Sequence, residues 1–178
     1  DYFFIIDEIN RGNLSKIFGE LFMLIEKDKR GIELQLLYSD ENFSVPANVY
    51  IIGMMNTADR SLAMLDYALR RRFSFFTMKP GFNTPGFQAY QDSLKNDAFN
   101  KLIACVKQLN SKIAEDISLG EGFCIGHSYF CGLTPETANT QTLSSIVEYE
   151  LIPLLKEYWF DEPEKIIDWS DRLRSTVK

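Results

Sequence analysis

Cysteine is scarce, with three residues among 178, and histidine scarcer still, with one. An odd, low cysteine count excludes a disulfide scaffold and points to a reducing compartment, the cytoplasm. No run of about 18 apolar residues is present, so no membrane-spanning helix is expected. No basic segment leads into an apolar one at the start, so no signal peptide is expected either. An excess of positive charge is missing too. The net charge of −6 argues against a broad basic surface for nucleic acid. Internal repeats and low-complexity segments are absent. What is present is ordinary for a folded chain of one domain or two small ones: 46% hydrophobic and 13% aromatic residues. An initiator methionine is also lacking. The sequence opens Asp1-Tyr2-Phe3-Phe4-Ile5-Ile6, inside an apolar run, which suggests a piece of a longer chain.

The residues divide into two patterns. Tyr2–Ile6 reads as a buried parallel strand. Asn13 caps a helix with apolar positions Leu14, Ile17, Phe18, Leu21, Leu24 and Ile25, and Gly31 follows a basic last turn as a stop. Glu33–Leu37 and Phe43–Val45 read as a hairpin. Val49–Met54 is a second apolar strand, Ser61–Leu69 a short helix and Arg72–Thr77 a third strand, with Phe73, Phe75 and Phe76 as strand core. Strands alternating with helices predict a parallel α/β layer. Lys79–Gly86, with two prolines and two glycines, marks the boundary. Beyond it, Phe99–Ile117 and Leu143–Trp159 read as helices, the second broken near Pro153. Gly120–Gly132 is an irregular linker. Glu148–Asp171 holds eight acids against two lysines. It reads as a solvated helix face, or as a docking surface for a basic partner.

Three segments carry chemistry. Phe3–Ile6 runs into Asp7-Glu8, which places two carboxylates at the C-terminal end of a strand, where open α/β sheets bind ligands. One carboxylate there can hold Mg²⁺ on a nucleotide's phosphates, and a second can orient or deprotonate water. Alternatively both simply end a strand or cap a helix. Met54-Met55-Asn56-Thr57-Ala58-Asp59-Arg60-Ser61 follows the second strand. Asn56 there suits a γ-phosphate or a water, while Asp59 and Ser61 suit helix capping equally well. Leu69-Arg70-Arg71-Arg72-Phe73 gathers three permanently charged forks, suited to phosphate or to complementing a helix C-terminus.

The order of these segments is that of the second half of an AAA+ module. Asp7-Glu8-Ile9-Asn10-Arg11-Gly12-Asn13, Met55-Asn56-Thr57-Ala58-Asp59-Arg60-Ser61 and Asp66-Tyr67-Ala68-Leu69-Arg70-Arg71-Arg72-Phe73 together resemble the McrB family. Gly126-His127-Ser128-Tyr129-Phe130, Ile152-Pro153-Leu154-Leu155 and Tyr158-Trp159-Phe160 extend the resemblance over nearly the whole chain. These are the nucleotide-hydrolysing, DNA-translocating subunits of modified-cytosine-dependent restriction systems. The resemblance implies a partial AAA+ α/β core over residues 1–78 and a mainly helical lid over 79–178. It implies Asp7 as the Walker-B carboxylate holding Mg²⁺, Glu8 as the catalytic glutamate and Asn56 as sensor 1. Asp59 and Arg60 would complete the family motif, and Arg71 or Arg72 would be the finger reaching a neighbouring nucleotide. It further implies Mg²⁺ with GTP or ATP, a hexameric ring, a McrC-like nuclease partner, and methylated DNA read by an N-terminal domain.

One departure is plain. No Gly-x-x-x-x-Gly-Lys-Ser/Thr occurs, so the phosphate cradle is missing from these residues. It would precede Asp1 in a longer chain, and the cut would leave an exposed sheet edge prone to pairing. The chain alone is expected not to hydrolyse nucleotide. Two rival readings are a MoxR- or dynein-like AAA+ chaperone ATPase and a non-catalytic assembly module. Cys124, His127 and Cys131 have metal-like spacing but no fourth ligand nearby, and read better as packing a turn. Cys105 reads as core. Helical spacing makes Tyr158, Trp159, Phe160 and Trp169 core aromatics rather than a stacking surface.

Overall fold

The computed structural model describes residues 1–56, 58 and 67–178, apart from the side chains of Leu14, Ser15, Ala68 and Leu69. Two compact units result, Asp1–Thr77 and Met78–Lys178. The expected helix from Ser61 lies outside the described residues up to position 66, and only its end is seen.

In the first unit, strand β1 (Tyr2–Ile6) pairs in parallel with β4 (Val49–Gly53), in the register Tyr2 to Val49 through Ile6 to Gly53. Between them lie helix α1 (Leu14–Phe18), a 3-10 stretch (Gly19–Ile25), and the short antiparallel pair β2 (Leu34–Gln35) and β3 (Asn42–Phe43). Asn13 caps α1 as expected, its Oδ1 accepting from the Lys16 amide at 3.0 Å. The helix then tightens to 3-10 geometry at Gly19, whose φ is +50°. Helix α2 (Tyr67–Arg70) closes the unit's regular structure. Its core is small: Ile9, Phe22 and Ile25, with Ile6, Phe18, Ile51 and Phe73 packed on them.

Three expectations are corrected here. Tyr2, Phe3, Phe4 and Ile5 are exposed rather than buried, because the small core of the described residues reaches only Ile6 and Ile51 of the two-stranded layer. Residues 72–77 form no strand, since no described strand offers them a hydrogen-bonded ladder. Phe73 is partly buried, but Phe75 and Phe76 are exposed.

The second unit is helical: α3 (Pro85–Leu94), α4 (Asp97–Glu115), α5 (Thr140–Ile146), α6 (Ile152–Tyr158) and α7 (Pro163–Thr176). Thr84 and Asn96 cap α3 and α4 through their side-chain oxygens. Phe99, Leu102, Ile103, Val106, Leu109 and Ile113 of α4 recur every three or four residues and are all buried. Asn110 sits on the same buried stripe. Its side chain donates to the Ile125 carbonyl at 2.9 Å and accepts the Ile125 amide at 2.7 Å, which pins the irregular 120–132 segment to α4. Near Pro153 the helix widens instead of breaking. Val147–Leu151 forms a π-turn, which absorbs the missing N–H and the bulk of the proline ring one turn later. Trp159 and Trp169 are buried as expected, Tyr158 is half-buried, and Phe160 is exposed, because α6 ends at Tyr158 and the chain turns away. Cys105 packs partly buried against this core, and burial pushes its thiol pKa up.

One carboxylate ties three helices of this unit together. Asp116, which ends α4, accepts from the Ser118 hydroxyl at 2.6 Å, the Trp159 indole at 2.9 Å and the Lys165 ammonium at 3.1 Å. These bonds, the Ser118 hydroxyl's first, outweigh the desolvation of a side chain that is 10% exposed and hold its pKa far below the usual carboxylate range. A carboxylate depressed on folding stabilises the fold above its unfolded pKa, and that stability is lost as pH falls below it. The unfolding midpoint should therefore drop as pH falls below roughly 4, the unfolded carboxylate value. Asp116→Asn should cost about 1–3 kcal/mol at neutral pH, from the weakened bonds of a buried hub, and should flatten the acid limb. Urea unfolding monitored by tryptophan fluorescence between pH 7 and pH 2 checks both.

Candidate functional site

The parallel ladder of β1 and β4 continues past both strand ends. The Met54 amide donates to the Ile6 carbonyl at 2.8 Å, and the Ile9 amide donates to the Met54 carbonyl at 2.9 Å. Asp7-Glu8 is therefore clasped between two bonds to the segment that leads into Asn56. The two C-terminal strand tips, one acidic and one amide-bearing, are neighbours.

The tip of β1 is a tight turn. Glu8 has φ +50° and ψ +45°, a left-handed conformation that costs a non-glycine residue roughly 1–2 kcal/mol. The Asp7 Oδ1 offsets part of this by accepting the Glu8 amide at 2.9 Å. The turn sends Ile9 inward, where it is buried, and leaves Asp7 and Glu8 exposed. Glu8 meets Arg11 at 2.6 Å, with both side chains about half exposed. Water screens such a pair, so it holds Glu8 only weakly. Asn10 carries a buried Oδ1 with no hydrogen-bond partner among the described residues. Asp7 and Glu8 offer hard carboxylate oxygens, which fit a hard cation such as Mg²⁺.

Asn56 is exposed at the tip of β4, and its Oδ1 accepts the Ala58 amide at 3.0 Å. With the oxygen so engaged, the amide's Nδ2 donors are what Asn56 offers to a ligand. Asp59 and Arg60 lie outside the described residues.

The arginine cluster separates into two environments. Arg70 and Arg71 are exposed. Arg72 turns inward: its Nη2 meets Glu26 Oε1 at 2.7 Å, its guanidinium lies 4.4 Å from the centre of the Phe22 ring, and its side chain is 9% exposed. In the sequence Arg71 and Arg72 are equivalent, and nothing marks Glu26 or Phe22 as their partners. The only sequence signal for the pair was an acid placed four residues after an aromatic, which is too common to single out.

In the second unit, His127 accepts the Gly81 amide on Nδ1 at 3.0 Å and meets Phe82 and Phe87 edge-on. A side chain at Gly81 would stand 2.9 Å from His127 Cε1, so the ring needs glycine there. Cys124 and Cys131 donate to the carbonyls of Asn110 and His127. These three residues thus pack a turn. No helix among the described residues is long and apolar enough to cross a membrane.

A strand ending in two acids, paired in parallel with a strand ending in asparagine and followed by arginines and a helical unit, is the layout of an AAA+ core segment with its lid. The comparisons with known proteins agree. Residues 2–73 match the AAA domain of the dynein-related subfamily, and residues 101–167 match the McrB alpha-helical lid domain. The chain is therefore McrB-like, an AAA domain segment followed by a McrB lid. It is 53% identical, over 97% of its length and 40% of the relative's, to the type IV methyl-directed restriction enzyme EcoKMcrB subunit of Escherichia coli strain K12. It is 29% identical, over 69% of its length and 42% of the relative's, to the type II restriction enzyme BsuMI component YdiS of Bacillus subtilis strain 168. The chain thus spans about 40% of the length of these curated relatives.

Gly53 reports on how the tips are held. A Cβ there would stand 2.5 Å from Ile9 Cδ1 and 3.3 Å from its Cγ2. Gly53→Ala should push Ile9, and Glu8 with it, out of place, at about 1–3 kcal/mol for overpacking. Urea unfolding of the intact protein measures the loss. An unchanged midpoint would mean that Ile9 has room to move.

Proposed function

We propose that this chain is the hydrolysis and sensing part of an AAA+ motor subunit. It would work with Mg²⁺ and GTP or ATP in a methylcytosine-dependent restriction system, beside a McrC-like nuclease and in a ring of identical subunits, a hexamer as the family resemblance implies. The observation that carries the reading is the clasp of the β1 and β4 tips, which sets Asp7-Glu8 beside the segment bearing Asn56. The match of residues 101–167 to a McrB lid favours this system over a MoxR- or dynein-like chaperone. Acids and a sensor amide in working order favour a motor over an assembly module.

Bound Mg²⁺-nucleotide supplies an electrophilic γ-phosphate. Asp7 would hold the metal on the nucleotide's phosphates. Glu8 would orient the attacking water and take its proton as the water oxygen bonds to the γ-phosphorus, the bond to the β–γ bridging oxygen breaks and the nucleoside diphosphate leaves. Asn56, with its oxygen tied to Ala58, donates through Nδ2 to the water or to a phosphate oxygen. Asp59 and Arg60 complete the motif as the family resemblance implies. Of the two arginines offered as the finger, Arg71 is the exposed one and Arg72 is already engaged, so Arg71 reaches the neighbouring subunit's nucleotide and offsets charge in the transition state.

Three outcomes are expected. In the full-length protein, Glu8→Gln should keep nucleotide binding and lower turnover by about 10²–10⁴, the usual worth of a positioned base. Arg71→Ala should lower it by about 10³ or more, as loss of a finger does, whereas Arg72→Ala should lower it less and also cost stability, roughly 3 kcal/mol. The 178-residue chain alone, lacking a phosphate cradle, should release no phosphate from MgGTP or MgATP above background. Steady-state phosphate release and nucleotide titration test all three, and turnover by the isolated chain would overturn the last.

A further inference from the structure

Arg71 is a side chain on an irregular stretch, between the end of α2 and a segment that is not a strand. A group that must reach across to another subunit within about 0.5 Å of a productive position needs its backbone held by something other than secondary structure. The neighbouring residues supply it. Arg72, directly after Arg71, is gripped at 2.7 Å by Glu26 and laid on the face of Phe22. Phe73, the next residue, packs on Ile9, Phe22 and Ile25.

Glu26 is itself a firm anchor. It sits at the joint of two 3-10 turns, Gly19–Ile25 and Lys27–Lys29. Its amide donates to the Met23 carbonyl at 3.2 Å, and its carbonyl accepts the Lys29 amide at 3.1 Å. The carboxylate is 30% exposed and the Arg72 side chain 9%, so the pair is shielded from water more than an ordinary surface bridge. The same small core also contains Ile9, the residue after Glu8. One cluster thereby fixes the backbone behind the acid that serves this subunit's nucleotide and the backbone behind the arginine that serves the next.

We propose that Glu26 is a positioning residue for the trans-acting arginine: by holding Arg72 against Phe22 it fixes the backbone from which Arg71 projects to the neighbouring subunit. This rests on the reading of Arg71 as the finger.

The test uses the full-length protein with MgGTP and MgATP. Glu26→Ala should lower kcat at least about tenfold with KM changed less than about twofold, since misplacement of a catalytic group by an ångström costs rate rather than binding. Mixing Glu26→Ala subunits with Glu8→Gln subunits should restore turnover above either alone. The first keeps its own acid, and the second keeps a well-placed arginine to lend. A merely structural defect would not be complemented in this way, and a kcat loss without complementation would overturn the proposal. If Glu26→Ala does not fold, Glu26→Gln takes its place, and full turnover by a stably folded Glu26→Gln overturns it. If Arg71→Ala abolishes turnover while Glu26→Ala leaves kcat untouched, the proposal fails and the reading of Arg71 stands. If Arg71→Ala itself leaves kcat untouched, that reading fails and takes the proposal with it.

Discussion

Everything at the candidate site depends on the parallel pairing of two short strands. A parallel ladder fixes which residue stands beside which, and it brings both C-termini to the same edge. Here the register puts Ile6 opposite Gly53, and two further backbone bonds carry the alignment beyond the strands. A slip of one residue would turn every side chain to the opposite face. Asp7-Glu8 would then no longer leave the sheet beside the segment that ends in Asn56. The left-handed turn at Glu8 and the bare Cα of Gly53 serve the same alignment, one by sending Ile9 inward and the other by giving it space.

The two units are stabilised differently. The first has a core of few residues, much exposed aromatic surface on β1, and polar devices such as the Arg72–Glu26 pair. The second has a continuous buried cluster running from Phe82 to Val177. Within that cluster, two polar groups are answered by named partners, while the buried Ser170 Oγ has none among the described residues. Asn110 substitutes for a strand in holding Ile125, and Asp116 satisfies the indole of a nearly fully buried Trp159. Burying a polar group without a partner would cost more than the bond itself returns, which is why these side chains sit where they do.

Much of the fold was legible in the sequence. The run Tyr2–Ile6, the β-branched Val49–Met54 and the periodic stripe of α4 each announce their element by pattern, and Asn13 marks a helix start by chemistry, whereas the helix ends at Phe18, well before the expected stop at Gly31. What misled were apolar residues without a place to go. Phe75, Phe76 and Phe160 look like core by type, yet a residue is buried only if another element covers it, and local pattern carries no information about that. Pro153 signalled a break. The chain instead widened one turn, Val147–Leu151, just before the proline.

At the candidate site, the identities Asp7, Glu8, Asn56 and the three arginines were readable, since strand tips and their chemistry are local. The sequence by itself determined which groups are available: two acids after an apolar strand, an amide after a second strand, and three guanidinium forks in a row. Only the tertiary structure decided how they differ. Arg71 and Arg72 are the same residue type one position apart, and what separates them is the contact of Arg72 with Glu26 and Phe22, far earlier in the chain. Burial and ion pairing are properties of what meets in space, and no local pattern encodes a meeting between such distant residues.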